Sequence, residues 1–158
     1  MKVVALVSGG MDSVTAMYKV AKEHEVVAGI CFDYGSKHNH CEIPCAKYHC
    51  DKLNIPFHVI SLGFMNDLFK SDLLKSGGEI PEGHYEQANM KQTVVPFRNG
   101  IMLAILAGYT ESIEADAIVL GAHGGDHAIY PDCRDSFIKS MGNAIREGNS
   151  SRRNNSSG

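Results

Sequence analysis

Residues 3–7 form an uninterrupted apolar run, Val-Val-Ala-Leu-Val, that stops at Ser8-Gly9-Gly10. From residue 11 to residue 22 the apolar side chains Val14, Met17, Tyr18 and Ala21 then fall at helical spacing. This strand–glycine turn–helix unit constrains the fold more than any other feature of the chain. A short β-branched run with no polar alternation predicts a strand buried on both faces, which is the habit of parallel sheets flanked by helices.

The rest of the chain repeats the alternation. Residues 26–32 predict a second buried strand and residues 57–60 a third. Between them, residues 40–53 suit a helix if Pro44 falls in its first turn. Residues 61–93 combine a short helical stretch (64–74) with Gly77-Gly78, Pro81 and Gly83, and so predict an excursion over a site. Residues 99–113 form an apolar helix, 117–120 a fourth strand and 135–146 a closing helix. The expected architecture is α/β: a Rossmann-like parallel sheet with helices on both faces and right-handed crossovers. In such sheets ligands bind beyond the carboxyl ends of the strands. Residues 8–13, 33–38 and 121–134 all follow expected strands and should meet at one edge. One domain spans residues 1–147. Residues 148–158 contain no apolar side chain and are expected to form a polar, disordered tail.

Bulk properties exclude several classes. A chain of 158 residues suits one core, and a formal net charge of -3 gives no polyanion-binding surface, so no nucleic-acid partner is expected. No apolar run approaches the roughly 20 residues that span a bilayer, so no membrane partner is expected either. Residues 3–7 are cut off before a secretory core forms, which makes the cytoplasm the expected location. The five cysteines (Cys31, Cys41, Cys45, Cys50, Cys133) are an odd count with no Cys-x-x-Cys pair, consistent with reduced thiols.

The string Ser8-Gly9-Gly10-Met11-Asp12-Ser13 carries the chemistry. Two glycines let the backbone turn sharply and approach an anion. Exposed amides and the positive helix end attract phosphate, Ser8 and Ser13 add hydroxyl donors, and Asp12 can orient the loop or a magnesium ion. The competing reading is a plain turn in which Ser8 or Asp12 caps the helix. The string resembles the signature of the pyrophosphate-loop ATP pyrophosphatases. It lacks the Gly-Lys-Ser/Thr ending of a Walker loop, and the resemblance implies ATP cleavage between the α and β phosphates.

Three further stretches narrow the resemblance: Phe32-Asp33-Tyr34-Gly35-Ser36-Lys37-His38, Val94-Val95-Pro96-Phe97-Arg98-Asn99, and residues 121–134, which end in Tyr130-Pro131-Asp132-Cys133-Arg134. In this order they resemble the 7-cyano-7-deazaguanine synthases of queuosine and archaeosine biosynthesis, over residues 3–146. The resemblance implies an ATP-dependent ligase that converts 7-carboxy-7-deazaguanine and ammonia to the nitrile, releasing AMP and pyrophosphate. It implies ATP and Mg2+ as cofactors and a pocket made of Arg98, Asn99, His123, Asp126, His127, Tyr130, Asp132, Cys133 and Arg134. Several of these residues also have a bland alternative. Arg98 suits a phosphate or a carboxylate, or a surface ion pair at a helix start. Asp126 and Asp132 can read a base edge or serve caps and turns, and Cys133 is either a nucleophile or a buried thiol. His123 and His127 are separated by glycines and fit a loop contacting substrate better than a metal pair. Other activities of the wider class, amide ligation or tRNA thiolation, remain open, as does a nucleotide-binding module without turnover. The resemblance also implies zinc on cysteines of a later C-terminal segment that is missing here; turnover is expected to be weak or nil if that segment helps close the substrate site. Cys41, Cys45 and His49 share one helical face, but packed thiols are the expected state and no metal ligand is assigned. Oligomeric state is left open between monomer and homodimer.

Overall fold

In the computed structural model, which describes residues 1–71, 74, 95–121 and 130–150, four strands form one fully parallel sheet in the order β3-β2-β1-β4. β1 (Lys2–Leu6) and β2 (Glu25–Asp33) are its centre, and β3 (Phe57–Ser61) and β4 (Ala117–Val119) flank them. The ladders pair Val4 with Ala28, Gly29 with Phe57 and Val4 with Ile118. The chain winds one way from β1 through β2 to β3. It then returns to the other side of β1, so the switch in strand order lies between β1 and β4.

Both sheet faces are covered, as the continuous apolar strands require. On one face Val4, Ala28, Ile30 and Phe32 pack with Met65 of α3 (Gly63–Leu68) and with Met102 and Leu106 of α4 (Arg98–Ser112). On the other, Ala5, Val7 and Cys31 pack with Met17 of α1 (Met11–Ala21) and with Ala46 and Cys50 of α2 (Asn39–Lys52). The last helix, α5 (Asp135–Gly148), buries no residue fully and presents half-buried Ile138 and Ile145. Among the described residues no helix is long and apolar enough to cross a membrane.

Some expectations need correction. Because α2 begins at Asn39, Pro44 falls in its second turn rather than its first. The amide lost there would have bonded the His40 carbonyl; His40 and Pro44 are both exposed, so the gap opens on the solvent side. The helix expected over residues 64–74 stops at Leu68. Phe69 is extended, and Leu74 instead makes an antiparallel bridge to Ser36, which brings its fully buried side chain into the core. Gly148 closes α5, and Ser150 donates through its amide and hydroxyl to Glu111, so the chain keeps contact with α4 that far. The remainder of the expected tail lies outside the described residues.

Gly29 sits at the middle of β2, where a Cβ would lie 2.5 Å from the Cys50 Sγ. Gly29→Ala should therefore lower stability by about 1–3 kcal/mol in chemical denaturation. Gly29→Ala combined with Cys50→Ala should recover most of the loss, and strict additivity would contradict this packing.

Candidate phosphate-binding site

The turn between β1 and α1 is organised by its own hydroxyls. Ser13 Oγ donates to the Gly10 carbonyl (3.1 Å), and the Ser8 amide donates to Ser13 Oγ (3.1 Å). The two serine hydroxyls lie 3.0 Å apart, and the Gly10 amide donates to Ser8 Oγ at 3.3 Å. Gly10 is the N-cap of α1 and makes no side-chain cap, so Asp12 does not serve as one and stands exposed in the first turn. Met11 is 83% exposed. At the positive end of α1 only the Gly10 amide meets a described side-chain acceptor, the Ser8 hydroxyl, an arrangement suited to an anion at the amides that follow.

Two glycines bring backbone close to this turn. Gly9 adopts φ +82°, and a Cβ on it would lie 2.1 Å from the Glu42 carbonyl oxygen of α2. A Cβ on Gly121, just past β4, would lie 2.6–2.7 Å from the backbone of Asp12 and Ser13. The β4 end of the sheet is thus pressed against the start of α1, at the switch in strand order where open α/β sheets bind their ligands.

A cavity of about 230 Å³ opens at this edge. Ser8, Ser13, Arg98, Asn99 and Cys133 line it with Gly121, and so do Cys31, Tyr34 and Glu42. Residues expected from three separate stretches are therefore brought together. Among the described residues Arg98 makes no ion pair. Its Nη1 donates to the Tyr34 hydroxyl at 3.0 Å, and its guanidinium carbon lies 5.6 Å from the centre of that ring. Burial alone would lower the Arg98 pKa, but Tyr34, Asp132 and Cys133 outweigh it and raise it, fixing the positive charge.

Asp132 has a structural duty. It is buried in a 3-10 turn (Pro131–Cys133), and its Oδ2 accepts the Asn99 amide at 2.7 Å in the first turn of α4. Asn99 Nδ2 in turn donates to the Asp132 carbonyl (3.3 Å) and to Cys133 Sγ (3.2 Å). The capping alternative is therefore realised for Asp132, which also places a negative charge near Arg98. Tyr130 is half-buried and Arg134 is exposed at the N-cap of α5; neither lines the cavity. His123, Asp126 and His127 lie outside the described residues. Of residues 33–38, Tyr34 reaches the cavity, whereas Asp33 Oδ1 is taken up by the Gly35 amide and Asn39 Nδ2.

Glu42 and Cys31 were not expected from the sequence. Burial pushes the Glu42 carboxyl up, opposed by His38 and Arg98. Burial first, then Glu42, Asp33 and Cys50, pushes the Cys31 thiol up to about 12. The only signal for Glu42 is its place four residues after His38 at the start of α2; Cys31 read as a core strand residue.

The residues present fit a phosphate group, with two glycine approaches, two hydroxyls, the start of α1 and a fixed guanidinium. Among the described residues no three His, Cys, Asp or Glu side chains are grouped to hold a metal ion. Cys41 is exposed, Cys45 is half-buried, and His49 Nδ1 lies 3.0 Å from the Tyr18 hydroxyl, so packed thiols describe Cys31 and Cys50 but not Cys41. Magnesium makes no such demand, because it commonly rides on phosphates with one or two carboxylates.

A parallel sheet in the order 3-2-1-4 with helices on both faces and a glycine-bearing cradle at its switch point defines the adenine nucleotide alpha hydrolase-like class of Rossmann-like folds. Within it, this chain belongs to the family described as "Queuosine biosynthesis protein QueC", which matches residues 2–156. Similar proteins include the 7-cyano-7-deazaguanine synthase of Porphyromonas gingivalis, 54% identical over 143 residues, covering 90% of this chain and 64% of the relative. That of Desulfotalea psychrophila is 51% identical over 145 residues (92% and 66%), and that of Methanoregula boonei 46% over 145 residues (92% and 66%). The chain spans slightly less than two thirds of the length of these curated relatives.

Two outcomes follow from the geometry. Asp132→Ala should lower stability by about 1 kcal/mol through loss of the α4 cap, whereas Asp132→Asn, which keeps an acceptor, should lose less; equal losses in thermal melts would contradict the cap. In alkylation mapped by mass spectrometry at about pH 8, exposed Cys41 should react first. Cys31 should lag by about a thousandfold, since its thiolate is that much scarcer than an ordinary thiol's.

Proposed function

We propose that this chain is the ATP-binding portion of a 7-cyano-7-deazaguanine synthase, a ligase that converts 7-carboxy-7-deazaguanine and ammonia to the nitrile. The observation that carries the reading is the 54% identity to a protein of that name across 90% of the chain. In this reading the loop of residues 8–13 holds the phosphates of ATP, and magnesium offsets their charge. The substrate carboxylate attacks the α-phosphorus, the bond to the β-phosphate breaks, and pyrophosphate leaves with the electron pair. Ammonia then displaces AMP to give the amide, and a second adenylation, on the amide oxygen, makes AMP the leaving group for nitrile formation.

The chain's own contribution is charge placed in advance. The amides of the first turn of α1 and the Arg98 guanidinium stand where negative charge builds up as pyrophosphate departs. Tyr34 holds Arg98 by hydrogen bond and ring contact, so little reorganisation is needed. The loop that begins at Gly121 and ends at Arg134 is assigned to the deazaguanine, with Asn99 and Cys133 at its inner end. His123, Asp126, His127, Tyr130 and Arg134 are proposed as its remaining contacts. The location proposed is the cytoplasm.

Incubation with ATP, magnesium, ammonium and the deazaguanine acid should yield AMP and pyrophosphate, together with the amide or nitrile by mass spectrometry. ADP and inorganic phosphate as the sole nucleotide products would overturn the reading. Tight ATP binding with no AMP would instead favour a nucleotide-binding module without turnover.

A further inference from the structure

The cavity that suits phosphate also contains a carboxylate. Glu42 lines it beside Ser8, Ser13 and Arg98, and it is the sole carboxylate among the described lining residues. Its side chain accepts no hydrogen bond from a described residue. Nor can it easily retreat, because its own carbonyl is the atom against which Gly9 is packed. Any shift of α2 at this point would drag the phosphate loop with it. An ionised Glu42 and an incoming polyphosphate therefore compete for the same guanidinium and the same hydroxyls, and repel each other in a partly desolvated space.

We propose that Glu42 is the proton-linked element of the phosphate cavity: a polyphosphate enters with this side chain as the neutral carboxylic acid, so nucleotide binding without a divalent cation draws a proton from solvent onto a Glu42 oxygen. The inference rests on assigning the phosphates to the loop of residues 8–13. The groups facing Glu42 are His38 from the start of α2, Cys31 from β2, Arg98 from α4, and the backbone and hydroxyls of the loop. Burial raises the carboxyl's pKa, while His38 and Arg98 hold it down in the free protein. A polyphosphate engages Arg98 and adds negative charge, so both changes favour protonation. One negative charge about 6 Å away, in a medium of effective dielectric about 20, moves a carboxyl midpoint by about 2 pH units. The sign follows: a group whose pKa rises on binding makes affinity grow as pH falls.

The test is calorimetric titration of the full chain with ATP in EDTA, in two buffers of different ionisation enthalpy, at about pH 8 where the nucleotide's own phosphates are ionised. The chain should take up a fraction of a proton per ATP bound, and that fraction should grow as the titrations are taken from pH 8 to pH 6. Its affinity should rise from pH 8 to pH 6. Glu42→Gln should take up none and, with the repulsion of about 2 pH units removed, bind ATP up to about a hundredfold more tightly at pH 8. Glu42→Asp keeps an ionisable acid and should keep the uptake, which guards against misfolding of the Gln variant. Binding without uptake, or equal uptake in the wild type and Glu42→Gln, overturns this inference alone. Uptake lost in His38→Gln but kept in Glu42→Gln assigns the proton to His38 and likewise overturns it. Failure of the wild type to bind ATP at all overturns the phosphate-loop assignment and this inference together.

Discussion

The contact between Gly9 and the Glu42 carbonyl is the constraint on which the site depends. Gly9 holds a left-handed φ of +82°, and even a methyl group would collide with α2 at 2.1 Å. Because α2 packs Ala46 and Cys50 into the core under β1 and β2, this approach transmits the position of the sheet to the loop. The loop is held from the other side as well, where Gly121 meets the backbone of Asp12 and Ser13. Between those two approaches the hydroxyls of Ser8 and Ser13 need only short hydrogen bonds to fix the turn. A turn built this way would need little reorganisation on meeting the anion proposed for it.

Several residues hold the fold and shape the site at once. Asp132 caps α4, and the helix start it caps carries Arg98 and Asn99 into the cavity. Phe97, at the N-cap, adopts a left-handed backbone (φ +53°) unusual for a bulky residue. Its ring covers Gly100, where a Cβ would meet it at 2.3 Å, and packs edge-on against Phe137 of α5 at 5.5 Å. The 3-10 turn at Pro131–Cys133, the start of α4 and the start of α5 thus form one clasp beside the phosphate loop. Strained backbone of this kind persists where the surroundings over-determine it, commonly next to binding residues.

Much of this was legible in the residues, because strong patterns had one physical solution. The apolar runs at residues 3–7 and 26–32 could only be buried strands, and Ser-Gly-Gly-x-Asp-Ser between strand and helix placed the cradle. The resemblance named Arg98, Asn99 and Cys133 together, and these three side chains line one cavity. What escaped were relations across the chain. Nothing local marks Glu42 as the residue against which Gly9 packs, since the contact is made by backbone. Asp132 read equally well as a base reader or a cap until its oxygen was found on the Asn99 amide. The helix expected over residues 64–74 ended early because burying Leu74 beneath Ser36 outweighs local propensity. Cys41, Cys45 and His49 do share a helical face, yet their exposures differ and His49 is paired with Tyr18.

The central claim is that Gly9, by packing without a side chain against α2, holds the loop in a phosphate-binding shape. Gly9→Ala tests it most directly: ATP affinity measured by calorimetry, with circular dichroism to verify that the sheet and helices persist. The account predicts a folded protein whose ATP affinity falls by about 100-fold or more, because the added methyl must displace either the loop or α2. An affinity within about twofold of the unaltered chain would contradict it.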